Sequence, residues 1–436
     1  MFVEFWSKFI HHPQFFAMLT IPFVTALVTW GHVWMALKML FYPIHFWGIA
    51  IKDFPFGGLG WQGIVPRKAG KISGILVDQT LSKLGSLEEF FQAMQPEEMA
   101  ESISQNINQN LELLIDDIMN ERSASLWSSM PYAVKRRIYA YGHEQLPDIM
   151  KGLVMDLTYR VEDLVDMREM IVNKMERDRA LMVRMFLKVG QKEIDFIWHI
   201  SALIGFLFGI VQMAVFWFVP QHWTVPFFAA VWGLLTNWIA IWMVFNPVEP
   251  HYVRFIKLFS LGKKFPFIQL CRPHMALYNW QGGFMKRQNE VSDVFAEIVV
   301  HDLVTLKNIM HEMMYGSRSE QTRTLIKQHI YHILDSQVVN TTLRMGLGRK
   351  EFGQLKNTMV EKSIAATMIP MSDPVLNSSR ADKIFGLFRD RIRALTPREF
   401  QNLLRPAFQE DEITLIILGG FTGFVAGWLH LILVFY

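Results

Sequence analysis

The sequence predicts an all-α integral membrane protein with four transmembrane helices and two cytoplasmic helical domains, arranged as a tandem parallel repeat. Three observations carry that expectation. Hydrophobic residues make up 51% of the 436 residues and charged ones only 19%, a balance typical of membrane proteins with sizeable polar domains. Three uncharged stretches, one of them long enough for two crossings, give room for four bilayer spans. Short motifs recur in the same order in both halves, as a tandem duplication requires.

The repeat is clearest in Trp34–Pro43 (WMALKMLFYP) and Trp238–Pro247 (WIAIWMVFNP), which share Trp, Ala, Met, Phe and Pro at an offset of 204 (247 − 43). Trp61-Gln62-Gly63-x-Val65-x-Arg67-Lys68 returns as Trp280-Gln281-Gly282-x-Phe284-x-Lys286-Arg287, at 219 (280 − 61). Gln191 to Gln212 aligns without gaps onto Gln409 to His430, at 218 (409 − 191). The step from 204 to 219 places an insertion of about 15 residues in the second half, between its first motif and its Trp-Gln-Gly. The first repeat is then 1–219 (span 15–41, helical domain 62–195, span 197–219). The second is 220–436 (span 226–246, helical domain 248–411, span 413–435).

Taken in order, the chain opens Met1-Phe2-Val3-Glu4 and runs without charge from Phe9 to Leu37. No basic leader or small-residue cleavage site is present, so a first span at 15–41 is expected rather than a secretory signal. From Phe196 to Val248 there is no Asp, Glu, Lys or Arg, and Pro220 and Pro226 bracket a short turn. A hairpin of two spans fits, 197–219 and 226–246. The last uncharged run, Ile413 to Tyr436, supplies the fourth. A hairpin in the middle puts both polar segments on one side. Arg67, Lys68, Lys71, Arg184, Lys188, Lys192, Arg254, Lys257, Lys263 and Lys264 flank the spans on that side, and Glu410, Asp411 and Glu412 weigh little against them. The positive-inside rule makes that side cytoplasmic and both termini external.

The polar segments read as helices. In Glu97 to Glu121 the apolar residues Met99, Ile103, Ile107, Leu111, Ile115 and Ile118 fall on one stripe, with Pro96 in the opening turn. From Lys151 to Met175, Val154, Leu157, Val161, Leu164, Ile171 and Met175 keep a seven-residue register interrupted at Arg168, which suggests two-helix packing within this chain or with a second copy. Strand-like alternation is nearly absent.

Asn237-Trp238-x-Ala240 ending in Phe245-x-Pro247, the turn Gly63-Ile64-Val65-Pro66-Arg67-Lys68, and Lys192-Glu193 leading to Leu203-Ile204-Gly205-Phe206-Leu207-x-Gly209 and Gln212 resemble a bacterial membrane family catalogued as domain of unknown function 445. The resemblance implies a bacterial inner- or plasma-membrane protein with helical domains, and no particular activity. Val33 and Lys38 stand where the second half has Asn237 and Trp242, and Met285 stands where the first half has Pro66.

Chemistry-bearing motifs are few. No phosphate-binding Gly-rich loop, nucleophile elbow or Cys-x-x-Cys occurs. The single Cys271 has Arg272 and His274 near it in sequence only, which does not make an activated thiol. His311-Glu312 opens like a zinc-protease helix, but Tyr315 occupies the place of the second histidine. His329, His332 and Asp335 could share a helix face but lack a further ligand. No metal, cofactor or enzymatic activity is therefore expected. A formal charge of +3 argues against nucleic acid.

Two kinds of duplicated feature remain. Gly205-x-x-x-Gly209 and Gly423-x-x-x-Gly427 suit close helix packing, and Asn237, with Thr236, suits an interhelical hydrogen bond. Trp61, Gln62, Gly63, Arg67 and Lys68, and equally Trp280, Gln281, Gly282, Lys286 and Arg287, form a loop with permissive glycines, an interfacial aromatic and a basic pair near a helix start. Such a loop would either anchor the polar domain to its span or bind anionic lipid headgroups. The leading functional expectation is a membrane-anchored structural or interaction protein whose helical domains bind a cytoplasmic partner or a second copy. The alternative is a lipid or small-molecule carrier using these loops as headgroup sites.

Overall fold

The computed structural model describes residues 15–50, 58–78, 84–253, 278–335, 352–365, 374–405 and 412–435. Cys271, Arg272, His274, Arg254, Lys257, Lys263, Lys264, Glu410 and Asp411, singled out above, lie outside them. The chain divides into two compact units. One comprises Met1–Leu76, Met175–Val294 and Arg393–Tyr436, the other Val77–Lys174 and Phe295–Ile392.

In the first unit, four helices are long and apolar enough to cross a membrane: Phe15–Phe41, Arg179–Phe218, Thr224–Phe245 and Glu412–His430, the last continued by a π-helical turn at Leu431–Phe435. The second span helix has 40 residues, about 60 Å at 1.5 Å per residue. That is about twice the hydrocarbon thickness of a bilayer. Its charge-free part begins only at Phe196, so the N-terminal half, started by the Asp178 carboxylate accepting from the Leu181 amide at 3.0 Å, extends beyond the apolar stretch. The first span packs on the second and the third on the fourth. The two pairs then meet second to third and first to fourth. Near the turn between the second and third spans Met18, Ile21, Phe216, Val225 and Leu431 form one buried cluster.

Small antiparallel hairpins follow the first and third spans, features that three- or four-residue strands do not announce by alternation. Strand β1 (Trp47–Ala50) pairs with β2 (Gly58–Trp61), with Trp47 opposite Trp61. Strand β3 (His251–Val253) pairs with β4 (Tyr278–Trp280), with His251 opposite Trp280.

In the second unit residues from both polar segments build one core. Phe90 stacks on Phe388 with ring centroids 4.2 Å apart. Arg380 donates to the Met94 carbonyl and to Glu98, each at 3.1 Å. Asp116 accepts from Trp127 at 2.9 Å and from the Tyr139 hydroxyl, inside a cluster that includes Phe352 and Leu355.

Two expected helices are broken. The stripe from Glu97 to Glu121 is divided between helices Pro96–Asn108 and Leu111–Ser129. The interruption falls at the polar run Asn108-Gln109-Asn110, where the Asn110 amide turns back to the Ile107 carbonyl at 3.0 Å; asparagine is a weak helix former. Met99, Ile103, Ile107, Leu111 and Ile118 are nonetheless all buried. Pro96 is the first helical residue, where its missing amide hydrogen costs nothing. The heptad-like residues 154 to 175 are likewise buried but shared by helices Tyr132–Tyr159, Val161–Leu164 and Met167–Arg177. Asp166 causes the last break by accepting from the Glu169 amide at 2.9 Å, the geometry of a helix start.

Candidate functional site at the junction of the spans

The first and third spans each end on carbonyls that have no partner further along the helix, and the Trp-Gln-Gly loops return to supply one. After the first span the Gly63 amide donates to the Pro43 carbonyl at 2.9 Å. The Gln62 side chain donates to the Ile44 carbonyl at 2.8 Å, and the Trp61 indole to Met39 at 3.2 Å. After the third span the Gly282 amide donates to Pro247 at 2.9 Å and the Gln281 side chain to Val248 at 3.0 Å. The Phe245 carbonyl accepts from Gln401 at 2.9 Å. Trp280 is placed by the backbone of β4; its side chain lies outside the described residues.

The glycines are needed for a reason other than the one expected. Gly63 and Gly282 have φ of −51° and −53°, open to any residue. What excludes a side chain is proximity. A Cβ on Gly63 would lie 2.6 Å from the Phe41 carbonyl carbon, and one on Gly282 2.8 Å from the Asn246 nitrogen. Each loop is thus clamped backbone against backbone onto the end of its span.

The basic pairs close four-residue helices, Ile64–Arg67 and Gly283–Lys286. The Arg67 and Lys68 amides donate to Gly63 and Ile64, and the Lys286 and Arg287 amides to Gly282 and Phe284. The Arg287 guanidinium is held by Glu193 at 2.6 Å and by Glu290 at 2.8 Å. Glu290 also meets Lys192 at 2.5 Å. Hydrogen bonds from Arg287 and Lys192 push the Glu290 carboxyl down from 4.5 to about 2, and the same carboxylate raises the Arg287 guanidinium. Glu193 is only 6% exposed, and its Oε2 has no hydrogen-bond partner among the described residues.

Glu193 was quoted above only as part of a motif. Its pairing with Arg287 spans 94 positions, but a signal existed. The offsets 218 and 219 carry Glu193 onto Asp411 (193 + 218) and Arg287 onto Lys68 (287 − 219), keeping both signs.

Glu193 and Asn237 are the polar residues lining an apolar crevice among the described residues of the four span helices. Its walls include Ala36 and Ala240, Leu37 and Ile241, and Leu40 and Val244, three pairs of positions 204 apart (240 − 36). Asn237 donates to the Leu415 carbonyl at 2.7 Å, joining third span to fourth. Thr236 bonds within its own helix, to Trp232, at 2.7 Å.

The small residues lie where spans approach closely. A Cβ on Gly205 would sit 2.6 Å from Thr29 Cβ, and one on Gly427 2.6 Å from Pro226 Cα. Gly209 faces Pro22 and Thr25 of the first span, and Gly423 faces Ala229 and Ala230 of the third.

Nearer the turn between the second and third spans lies a buried polar group of which the sequence reading quoted only Gln212 and His430, as the ends of aligned stretches. Gln212 donates to the Val225 carbonyl at 3.3 Å, tying the second span to the third. His430 Nε2 lies 3.3 Å from the Thr20 hydroxyl, tying the fourth to the first. Thr20 already donates to Ala17, so the imidazole is the donor. His32 donates through Nδ1 to Val28 at 3.1 Å. Its Nε2, Gln212 Oε1 and Trp232 Nε1 have no partner among the described residues, and the three residues line a common void of about 20 Å³. Gln212 and His430 occupy equivalent places in the aligned closing spans (430 − 212 = 218), which was the available signal.

The histidines of the polar segments have individual partners. His329 is 2.8 Å from Asp156, Asp335 is paired with Lys356, and the His311 ring lies 5.0 Å from Tyr315. Among the described residues no group of three or more His, Cys, Asp or Glu is arranged to hold a metal ion. Comparison of the chain with protein-family models, curated proteins and solved structures finds no match.

Proposed function

We propose that the chain is a membrane-anchored structural or interaction protein that holds a helical body against a bacterial inner membrane. Its two halves are parallel repeats, and its polar segments are cytoplasmic. The observation that carries this reading is how the Trp-Gln-Gly loops use their polar groups. The amide of each glycine and the side chain of each glutamine go to carbonyls just past the preceding span. That arrangement makes each loop a rigid mount, and Arg287 is already neutralised by Glu193 and Glu290. The flanking basic residues and the resemblance to domain of unknown function 445 support the same placement.

The test uses the full chain in its native membrane, with a photo-crosslinking residue placed in turn at Leu113, Tyr132, Tyr159 and Val375, which are exposed. A discrete crosslinked species, either a partner or a dimer of this chain, is expected from at least one position. No discrete species from any position, together with protein-dependent lipid transfer between vesicles, would replace this reading with a carrier. A reporter fused after Tyr436 that proved cytoplasmic would overturn the orientation.

A further inference from the structure

The crevice at the junction of the spans goes beyond a mounting role. Its walls are apolar and come from all four span helices, with Ala36 and Ala240 leaving the space that larger residues would fill. Its free interior is about 80 Å³, which admits one slender chain and no fused-ring body. Leu37 and Ile194 also line an adjoining groove bearing Trp34, Lys38, Tyr42 and Trp198. That combination of aromatics and lysine belongs to the membrane interface. The crevice therefore shares part of its wall with that interfacial groove.

Glu193 adds chemistry that plain packing does not need. One carboxylate oxygen is bonded by Arg287, while the other is buried without a partner among the described residues. A buried acceptor of that kind is costly unless a donor meets it. Arg287 already balances the charge, so the complementary group is a neutral donor. An ammonium would add a second positive charge beside the guanidinium. We propose that the crevice binds the alkyl chain of an uncharged single-chain amphiphile whose hydroxyl donates to Glu193.

The test places the full chain in phosphatidylcholine vesicles with a long-chain alkyl alcohol carrying a diazirine on its chain. After photolysis, peptide mapping should locate the label on 186–197 and 240–245. Excess unlabelled alcohol should compete it away. The methyl ether of the same chain cannot donate and should label about tenfold less, the loss of one charge-assisted hydrogen bond. Ala240→Phe, which fills the crevice, should abolish this labelling. Because that variant could fail to fold, the ether comparison and the competition in the wild-type chain stand independently of it. Labelling spread over the outer faces of the spans and indifferent to competitor would overturn the site. Equal labelling by alcohol and ether would overturn the role of Glu193. Neither outcome touches the crosslinking result on which the mounting function rests.

Discussion

Replacing Arg287 by methionine would leave the Glu193 carboxylate buried with neither oxygen bonded to a cation. Its Oε1 loses the 2.6 Å bond, Oε2 has no partner among the described residues to begin with, and the side chain is 6% exposed. Breaking a buried ion pair by removing one partner costs about 3–5 kcal/mol. Arg287 is itself 23% exposed, so water reaches the site and the lower end applies. About 3 kcal/mol shifts the unfolding equilibrium roughly a hundredfold. Glu193→Gln in the same background removes the uncompensated charge, so the double variant should recover part of the loss. The coupling between the two positions should be about 1.5–3 kcal/mol. The assay is reversible unfolding of the full chain in mixed micelles, followed by tryptophan fluorescence, for wild type, both single variants and the double. An Arg287→Met loss below about 0.5 kcal/mol, or simple additivity of the two changes, would refute the claim that this pair is the tie between the second span and the loop after the third.

Other outcomes follow from the same geometry. Gly63→Ala or Gly282→Ala forces a Cβ against the end of a span and should cost about 1–3 kcal/mol by the same unfolding assay. Asn237→Leu removes the bond to the Leu415 carbonyl and should cost about 0.6–1.7 kcal/mol, the range measured for interhelical bonds in membranes. Phe388→Ala opens a hole beside Phe90 and should destabilise the second unit by about 3–5 kcal/mol, seen in its hydrogen-exchange protection. The folded Glu290 carboxyl titrates at about 2 against an ordinary 4.5. Its contribution is therefore complete above about pH 4.5 and is lost as pH falls towards 2. Glu290→Gln should flatten that part of the stability profile.

The spans can be read from uncharged runs because a bilayer imposes one length on every helix that crosses it. Phe196 to Val248 needed no knowledge of partners. The breaks at Gln109-Asn110 and Val165-Asp166 were harder. The apolar stripe continues through both, and only local polar bonds turn the backbone. The hairpins escaped because three or four residues give too short an alternation to register. At the candidate site the Trp-Gln-Gly motif was visible, while the reason for its glycine was not. A requirement for unusual backbone angles and a requirement for closeness look the same in sequence, and Gly63 with φ of −51° answers to the second. The Glu193–Arg287 pair and the crevice depend on which helices become neighbours, information that a single span does not carry. Gln212 and His430 were quoted only as the ends of aligned stretches, because their partners, Val225 and Thr20, lie on neighbouring spans.

Those two residues have a mechanical consequence. Gln212 joins the second span to the third and His430 joins the fourth to the first, so both ties cross the seam between the span pairs, and both border one void. A single tie would serve as a pivot and let one pair swivel past the other. Two ties resist that torsion, in the way that two bolts stop a plate from turning where one does not. Cutting either should release a twisting motion, and cutting both should leave the seam to the apolar cluster of Met18, Ile21, Phe216, Val225 and Leu431 and to the ion pairs at its far end.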